Sequence, residues 1–332
     1  MQQQTGCTFF TVSDSGYFLG LVGLINSLRL TGHQSPIVVA DCGLTSDQRA
    51  LLKGHVTLLQ LPEDVVINPG QYKAFAHLLK PEGVVVIIDS DMLVTKSLEP
   101  VVRLAILGKI CLFPDPESDR WFGEWQEIFE LADPPRRQTY GCSGFVAFSA
   151  AFWPDLLCHW WHACARINGH PTYQEGVHDG PTAQGDQDAL NAILMSTYPA
   201  DAMHLLPEGE QVFRWDFPAV TVTDRSTLGC RHRGIQPAIL HACMVPKPWQ
   251  QRGVRRNAYV ELLRYALTSG DNAVRLPRDS LPLWAQAGLL PEISLGVLSA
   301  SNMFNRDDGI VPRSAYAVAR RIKRRIIRWR RA

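Results

Sequence analysis

Along this chain, short continuous apolar runs alternate with stretches whose apolar residues recur every three or four positions. The first run, Cys7 to Val12, reads as a strand and ends in the polar turn Ser13-Asp14-Ser15-Gly16. From Tyr17 to Leu30 the apolar residues return at helical spacing, stopping near Gly32. Ile37 to Ala40 is a second short strand, and Thr45-Ser46-Asp47-Gln48 has the form of a capping box opening a helix through about Leu52. Val56 to Leu61 predicts a third strand and Gln71 to Leu79 a helix closed by Pro81. Then Val84 to Ile88 runs unbroken before Asp89-Ser90-Asp91. Such a run predicts a strand covered on both faces, as in a parallel sheet. The strand-helix alternation predicts right-handed crossovers between parallel strands.

The pattern continues with a helix from Leu98 to Leu107 and a strand from Lys109 to Phe113. It then turns irregular: residues 114–137 carry Trp121, Phe122, Trp125 and Phe129, which suggests a lid or an acceptor-side element. Gly144 to Phe148 reads as a strand, Ala151 to Ile167 as a helix, and His170 to Gly185 as a loop rich in Gly, Pro and His. Asp186 to Met195 starts another helix, Val212 to Val222 and Ala238 to His241 read as late strands, and Ala258 to Leu267 is helical. Asp279 to Asp308 is ambiguous and fits short helices packed on the core. The organisation expected is an α/β domain over residues 1–270, a helical extension over 271–312 and a separate tail over 313–332.

With 46% hydrophobic and 20% charged residues in a chain of 332, the composition is that of an ordinary globular protein. The net charge of +1 hides an asymmetry, because nine of the 33 Lys/Arg and none of the 32 Asp/Glu lie from Arg313 onward, leaving −8 on what precedes. Eight Cys are scattered without CxxC pairs. Cys158 and His162 are four apart on a predicted helix, as metal ligands could be, but no partner pair accompanies them. No secretory signal opens the sequence and no run of 18 apolar residues spans a membrane, so a reducing, cytoplasmic setting is the expectation.

The chemistry gathers where strands end. A buried strand ending in Asp89 and Asp91 delivers both carboxylates to the carboxyl edge of the sheet, where open α/β folds bind ligands. Two carboxylates so spaced can share one hard divalent cation; by spacing alone they are equally two solvated acids at a turn. Asp186-Gln187-Asp188 has an ordinary reading as well, since acids complement the dipole at a helix start.

Four stretches taken together carry a resemblance: FFTVSDSGYFLGLVGLINSL from Phe9, IIDSDMLV from Ile87, GDQDALN over Gly185 to Asn191, and HACMVPKPW over His241 to Trp249. In this order the chain resembles the retaining GT-A glycosyltransferases that include glycogenin and the bacterial lipooligosaccharide galactosyltransferases, glycosyltransferase family 8. The resemblance implies a GT-A, Rossmann-like α/β fold with a mostly parallel central sheet. It implies a hexose moved from a nucleotide sugar, UDP-linked, to a glycan or lipid-linked acceptor. Asp89, Asp91 and His241 become ligands of Mn²⁺ or Mg²⁺, a mixed N/O set suited to either. Lys247 and Lys73 become phosphate and donor contacts, and Ser90 falls beside the nucleotide. Tyr17 would stack on the base, with Val12 and Ser13 lining its pocket and Asp14 bonding its polar edge. Asp186 would bind the donor sugar and Gln187 lie against the anomeric carbon. Packed or solvated roles remain open for His241, Lys73 and Tyr17 on their own.

The chain departs from the family's pattern at two places. Cys142-Ser143-Gly144 stands where an amide-bearing turn bonds a sugar hydroxyl, which expects a changed donor sugar with Ser143 partly replacing the amide. Met244 occupies a family Gly position, and Pro246 removes a backbone donor; Asp115 matches a family acid near the sugar only loosely. A nucleotide-sugar-binding protein without turnover is one alternative, and a sugar nucleotidyltransferase is another. The latter expects a Gly-rich phosphate loop after the first strand, which Ser13 to Tyr17 is not. In the tail, Ala315, Val318, Ile322, Ile326 and Trp329 form an apolar stripe among Arg and Lys. That pattern suits the anionic inner face of a membrane; nucleic acid, which the family does not lead one to expect, and solvent are its rivals.

Overall fold

The computed structural model describes residues 6–61, 69–250 and 256–286. The tail 313–332 and most of the stretch expected to hold short helices lie outside them.

A seven-stranded sheet forms the centre, in the order β3-β2-β1-β4-β7-β6-β8. Its strands are β1 (Cys7–Ser13), β2 (Ile37–Asp41), β3 (Thr57–Gln60), β4 (Val84–Ile88), β6 (Ile110–Pro114), β7 (Gly141–Ser149) and β8 (Met203–Leu205). Only β7 runs against its neighbours, pairing antiparallel with both β4 and β6. A smaller sheet joins β5 (Met92–Val94), β12 (Ile239–His241) and β9 (Gln211–Phe213). The ribbon of β10 (Val220–Asp224) and β11 (Gly229–His232) stands beside it.

Helices cover both faces. α1 (Phe18–Leu30), α2 (Ser46–Leu52), α3 (Glu99–Ile106) and α7 (Ala258–Thr268) contribute to one core, and α4 (Trp125–Ile128), α5 (Leu156–Arg166) and α6 (Asp186–Ser196) to the other. The period of two along β4 divides its side chains between them. Val84, Val86 and Ile88 join the first core, while Val85 and Ile87 join the second. All five are buried, as the unbroken apolar run predicts.

The capping box at Thr45 and Gln48 forms as read, with both reciprocal bonds made. Elsewhere the structure corrects the sequence reading. The expected helix at Gln71 is a run of tighter 3-10 turns over Pro69–Leu79. The helix expected from Ala151 starts only at Leu156, because Pro154 precedes its cap. The long strand expected over Val212 to Val222 is broken by 3-10 turns at Arg214–Ala219, where Pro218 cannot donate to a ladder and Phe217 turns inward to stack on Tyr259.

The aromatic stretch 114–137 forms a wall packed into the fold at Trp125 and Arg120. Trp125 is fully buried and its indole Nε1 donates to the Pro181 carbonyl at 2.6 Å. Arg120, buried beside it, forks onto Asp188 with both contacts at 2.6 Å. Among the described residues, no helix is long and apolar enough to cross a membrane.

Candidate active site

The site is built at the carboxyl end of β4, where the two sheets meet. Leaving β4, the chain turns through Asp89-Ser90-Asp91 and enters β5 in the smaller sheet. There β12 pairs with β5 so that His241 lies opposite Met92. Local register thus brings a residue 150 positions later beside the aspartate turn. His241 Nε2 lies 3.3 Å from Asp91 Oδ1 and 3.6 Å from Asp89 Oδ2. Among the described residues, Asp89, Asp91 and His241 are the group of three whose ligand atoms fall within 4.8 Å of one another.

Close approach here depends on two glycines. A Cβ on Gly144 would meet Asp89 Oδ2 and Met92 Cε at 2.8 Å and His241 Cε1 at 3.0 Å. A Cβ on Gly20 would meet the Ser90 carbonyl oxygen at 2.6 Å and the Trp249 ring at 2.4 Å, so α1 can lie against both the aspartate turn and the Lys247 segment. Trp249 fixes that segment in turn, its Nε1 donating to the Gly16 carbonyl at 2.8 Å.

Two buried lysines flank the carboxylates. Lys247 Nζ donates to Asp91 Oδ2 and to the Ala242 carbonyl, and lies 5.1 Å from the centre of the Tyr17 ring. Lys73 Nζ bridges Asp89 Oδ1 at 3.1 Å and Asp186 Oδ2 at 3.0 Å, and donates to Ser143 Oγ at 3.2 Å. Burial by itself would discharge these groups, but the opposite charges prevail. Asp91 is held well below the usual carboxylate range by Lys247 and His241. Lys73 is raised by Asp186 and Asp89, and Lys247 by Asp91, each against burial. His241 is likewise raised, against burial, by Asp91. At Asp186 burial wins and the carboxyl moves upward despite Lys73.

The helix start at Asp186 supplies the opposite wall. Asp186 Oδ2 accepts from Ser143 Oγ at 2.9 Å. Gln187 is held at both ends of its amide: Oε1 accepts from the Ser143 backbone N–H at 2.9 Å and Nε2 donates to Asp115 Oδ2 at 3.1 Å. Burial pushes the Asp115 carboxyl up to about 6, although the Gln187 bond pulls the other way. The sequence reading placed all of these residues near a donor sugar, and the fold does bring them together.

Other assignments shift. Cys142 does not precede a strand but lies within β7, and strand alternation turns it away from Ser143 toward Gln211. Its Sγ is 3.8 Å from Gln211 Nε2, beside His241. Ser143, by contrast, faces Lys73 and Asp186. Asp14 closes its own turn, with Oδ1 accepting from Gly16 N–H at 2.8 Å and Tyr17 N–H at 3.0 Å. Tyr17 leads into α1, its ring meeting Trp249 in a T-shaped contact at 6.3 Å between centroids; Val12 is half-buried and Ser13 buried.

Two buried groups escaped the sequence reading. Gln211, which opens β9, bonds the Nδ1 side of His241 at 2.8 Å. Asp188 anchors the wall through Arg120, the Tyr140 hydroxyl at 2.7 Å and the Gln184 N–H at 2.7 Å. The sequence signalled neither role: β9 is three residues long, and Arg120 is one of three arginines in the stretch 114–137.

No family model matches the sequence, and no curated protein matches it. Solved structures do. The galactosyltransferase LgtC, in complex with donor and acceptor sugar analogs, aligns with a TM-score of 0.54 at 17% identity over 82% of this chain and 98% of that one. The WbbM bifunctional glycosyltransferase aligns at 0.53 and 15% identity, over 82% of this chain and 51% of its own. The glycosyltransferase GlyE of Streptococcus pneumoniae TIGR4 aligns at 0.51 and 18% identity, over 80% of this chain and 61% of its own. This chain thus spans about half of WbbM and under two thirds of GlyE. The likeness establishes the fold, that of the GT-A glycosyltransferases.

Proposed function

We propose that this chain is a metal-dependent glycosyltransferase that moves a hexose from a nucleotide sugar, UDP-linked, to a glycan or glycolipid acceptor with retention of configuration. The reading rests above all on one observation. Asp89, Asp91 and His241 converge between two buried lysines at the carboxyl edge of a GT-A sheet. LgtC was solved with both donor and acceptor sugar analogs, which supports the same two kinds of ligand here.

The residues fit Mn²⁺ or Mg²⁺. Two carboxylates and an imidazole nitrogen form a mixed oxygen and nitrogen set. Asp91 Oδ1 is buried without a hydrogen-bond partner, an acceptor that a cation would satisfy. Bound there, the ion would offset the charge of a pyrophosphate leaving group.

The protein's own groups divide the remaining work. Tyr17 would stack on the base, and Lys247 would balance charge on the departing phosphate. Asp186, Ser143 and Asp115 offer oxygen partners to sugar hydroxyls. Neither candidate on the sugar's other face is a free nucleophile. Gln187 is a neutral amide engaged at both ends, and Asp186 is held by Lys73 and Ser143. A covalent intermediate is therefore disfavoured. The alternative is attack by the acceptor hydroxyl from the face the phosphate leaves, with a phosphate oxygen taking the proton as the anomeric C–O bond breaks. NMR analysis of the product anomer tests this, and an inverted product sinks it. Donor hydrolysis followed with and without Mn²⁺ separates an enzyme from a binding protein, which would release nothing in either case.

The basic, amphipathic segment 313–332 is proposed to hold the enzyme at an anionic membrane surface, near lipid-linked acceptors. Co-sedimentation with anionic vesicles checks it, and equal partitioning of the full chain and a chain ending at residue 312 would refute it.

A further inference from the structure

The buried amide of Gln211 has no part in the chemistry above, yet it contacts a proposed metal ligand directly. One of its terminal atoms lies 2.8 Å from His241 Nδ1 and 3.8 Å from Cys142 Sγ. The other is buried with no partner. Gln211 is only 7% exposed, and the parallel pairing of β9 with β12 fixes it, since Gln211 lies opposite Ile239 two residues before His241.

An amide can present either end, because rotating it by 180° exchanges O and N while leaving every heavy-atom position filled. As placed, Oε1 is turned away from His241 without a partner, so the contact that orients the amide is the one at Nδ1. With Nε2 of Gln211 toward the ring, Nδ1 must accept, and the imidazole proton sits on Nε2, facing Asp89 and Asp91. With Oε1 toward the ring, Nδ1 must donate, and Nε2 is left to hold a proton against the two carboxylates or, once that proton leaves, an ion. Only the second arrangement makes His241 a ligand, since a histidine that binds metal through one nitrogen carries its proton on the other.

We propose that Gln211 is the positioning residue of the metal centre: in the metal-loaded protein its Oε1 accepts from His241 Nδ1–H, fixing the tautomer that frees Nε2 for the ion. This rests on the metal site proposed above. It also gives Cys142 a role. The thiol lies on the same side of Gln211 and can donate weakly to the same Oε1, reinforcing that orientation. A residue that departs from the family's sugar-binding pattern thereby becomes a support for the metal ligand.

The test is Mn²⁺ binding, read from the EPR signal of free Mn²⁺ as it is titrated into wild type, Gln211→Glu and Gln211→Met. Glu keeps an acceptor opposite Nδ1 and is expected to bind as wild type does. Met fills the space without an acceptor and is expected to lose about 10- to 100-fold in affinity. If Gln211 merely fills space, the order reverses, with Met binding normally and Glu weakened, and the inference falls; equal binding by all three also overturns it. Failure of wild type to bind Mn²⁺ would instead remove the metal site itself, and this inference with it. A second measurement needs no variant to fold. In ¹⁵N-labelled wild type loaded with diamagnetic Mg²⁺, the His241 Nδ1 resonance should be of the protonated, pyrrole type. An unprotonated Nδ1 overturns the assignment.

Discussion

Asp115 shows how one residue records the character of the site. Its Oδ1 accepts from the Glu117 N–H at 2.8 Å and its Oδ2 from Gln187, yet burial still raises the carboxyl to about 6. Between its unfolded value near 4 and that value the folded protein binds the extra proton, so stability falls as pH rises through this window. The loss is complete above about pH 6 and is on the order of 3 kcal/mol at most. Asp115→Asn removes the titration but also one acceptor, a deficit that does not vary with pH. Denaturant midpoints measured from pH 4 to 7 should therefore show the variant gaining on wild type as pH rises. A difference that stays constant over this range would mean the carboxyl titrates normally. Arg120 and Asp188 represent the opposite case, a buried pair with 2% and 0% side-chain exposure whose charges are matched at bonding distance. Their value lies in being unbroken, since removing one partner leaves the other buried alone.

Whole elements determined what the sequence could reveal. β4 was legible because five apolar residues in a row have no other economical placement than between two helical layers, and the aspartates then follow at its end. The helix start at Asp186 and the capping box at Thr45 were legible because their signals are local. The smaller sheet was legible only at Ala238 to His241. Its strands have three residues each, too few to show a period, and its central strand pairs with β5 across more than a hundred positions. For the same reason Gln211 and Arg120 carried no mark, and the direction of Cys142 was not legible: the reading began its strand at Gly144, three residues late. Gly144 is the point where β7 meets this second sheet, and its missing side chain has a measurable consequence. In Gly144→Ala the new methyl would push on Asp89 Oδ2 and Met92 Cε, the mobile ends of their side chains, and on the more fixed His241 ring. The variant should fold, with Asp89 displaced, and bind Mn²⁺ at least about tenfold more weakly. Unchanged affinity would show that Asp89 is not a ligand.

At the scale of the molecule, the proposed metal site is a joint between parts that the chain connects only distantly. Asp89 ends a strand of the large sheet, His241 ends one of the small sheet, and Lys247 leads into the segment that Trp249 pins to Gly16 beside α1. The joint holds two carboxylates against His241 and two lysines, with Asp91 Oδ1 3.3 Å from His241 Nε2 but in no hydrogen bond. An ion that binds only when these parts are assembled must stabilise the assembled state by mass action. At a hundred times its dissociation constant the gain is about 2.7 kcal/mol, which for a chain of this size corresponds to roughly 5 °C in melting temperature. The rise should grow with Mn²⁺ concentration and follow the affinity measured by titration. Asp91→Ala provides the control, with two effects to be kept apart. Removing the carboxylate leaves Lys247 and His241 buried without it, so the variant should melt lower than wild type even before metal is added, by about 3–5 kcal/mol of stability. Its melting temperature should then be indifferent to Mn²⁺. A variant that still gains as much from Mn²⁺ as wild type does would place the ion elsewhere on the molecule, and the convergence of Asp89, Asp91 and His241 would be a structural knot rather than a metal centre.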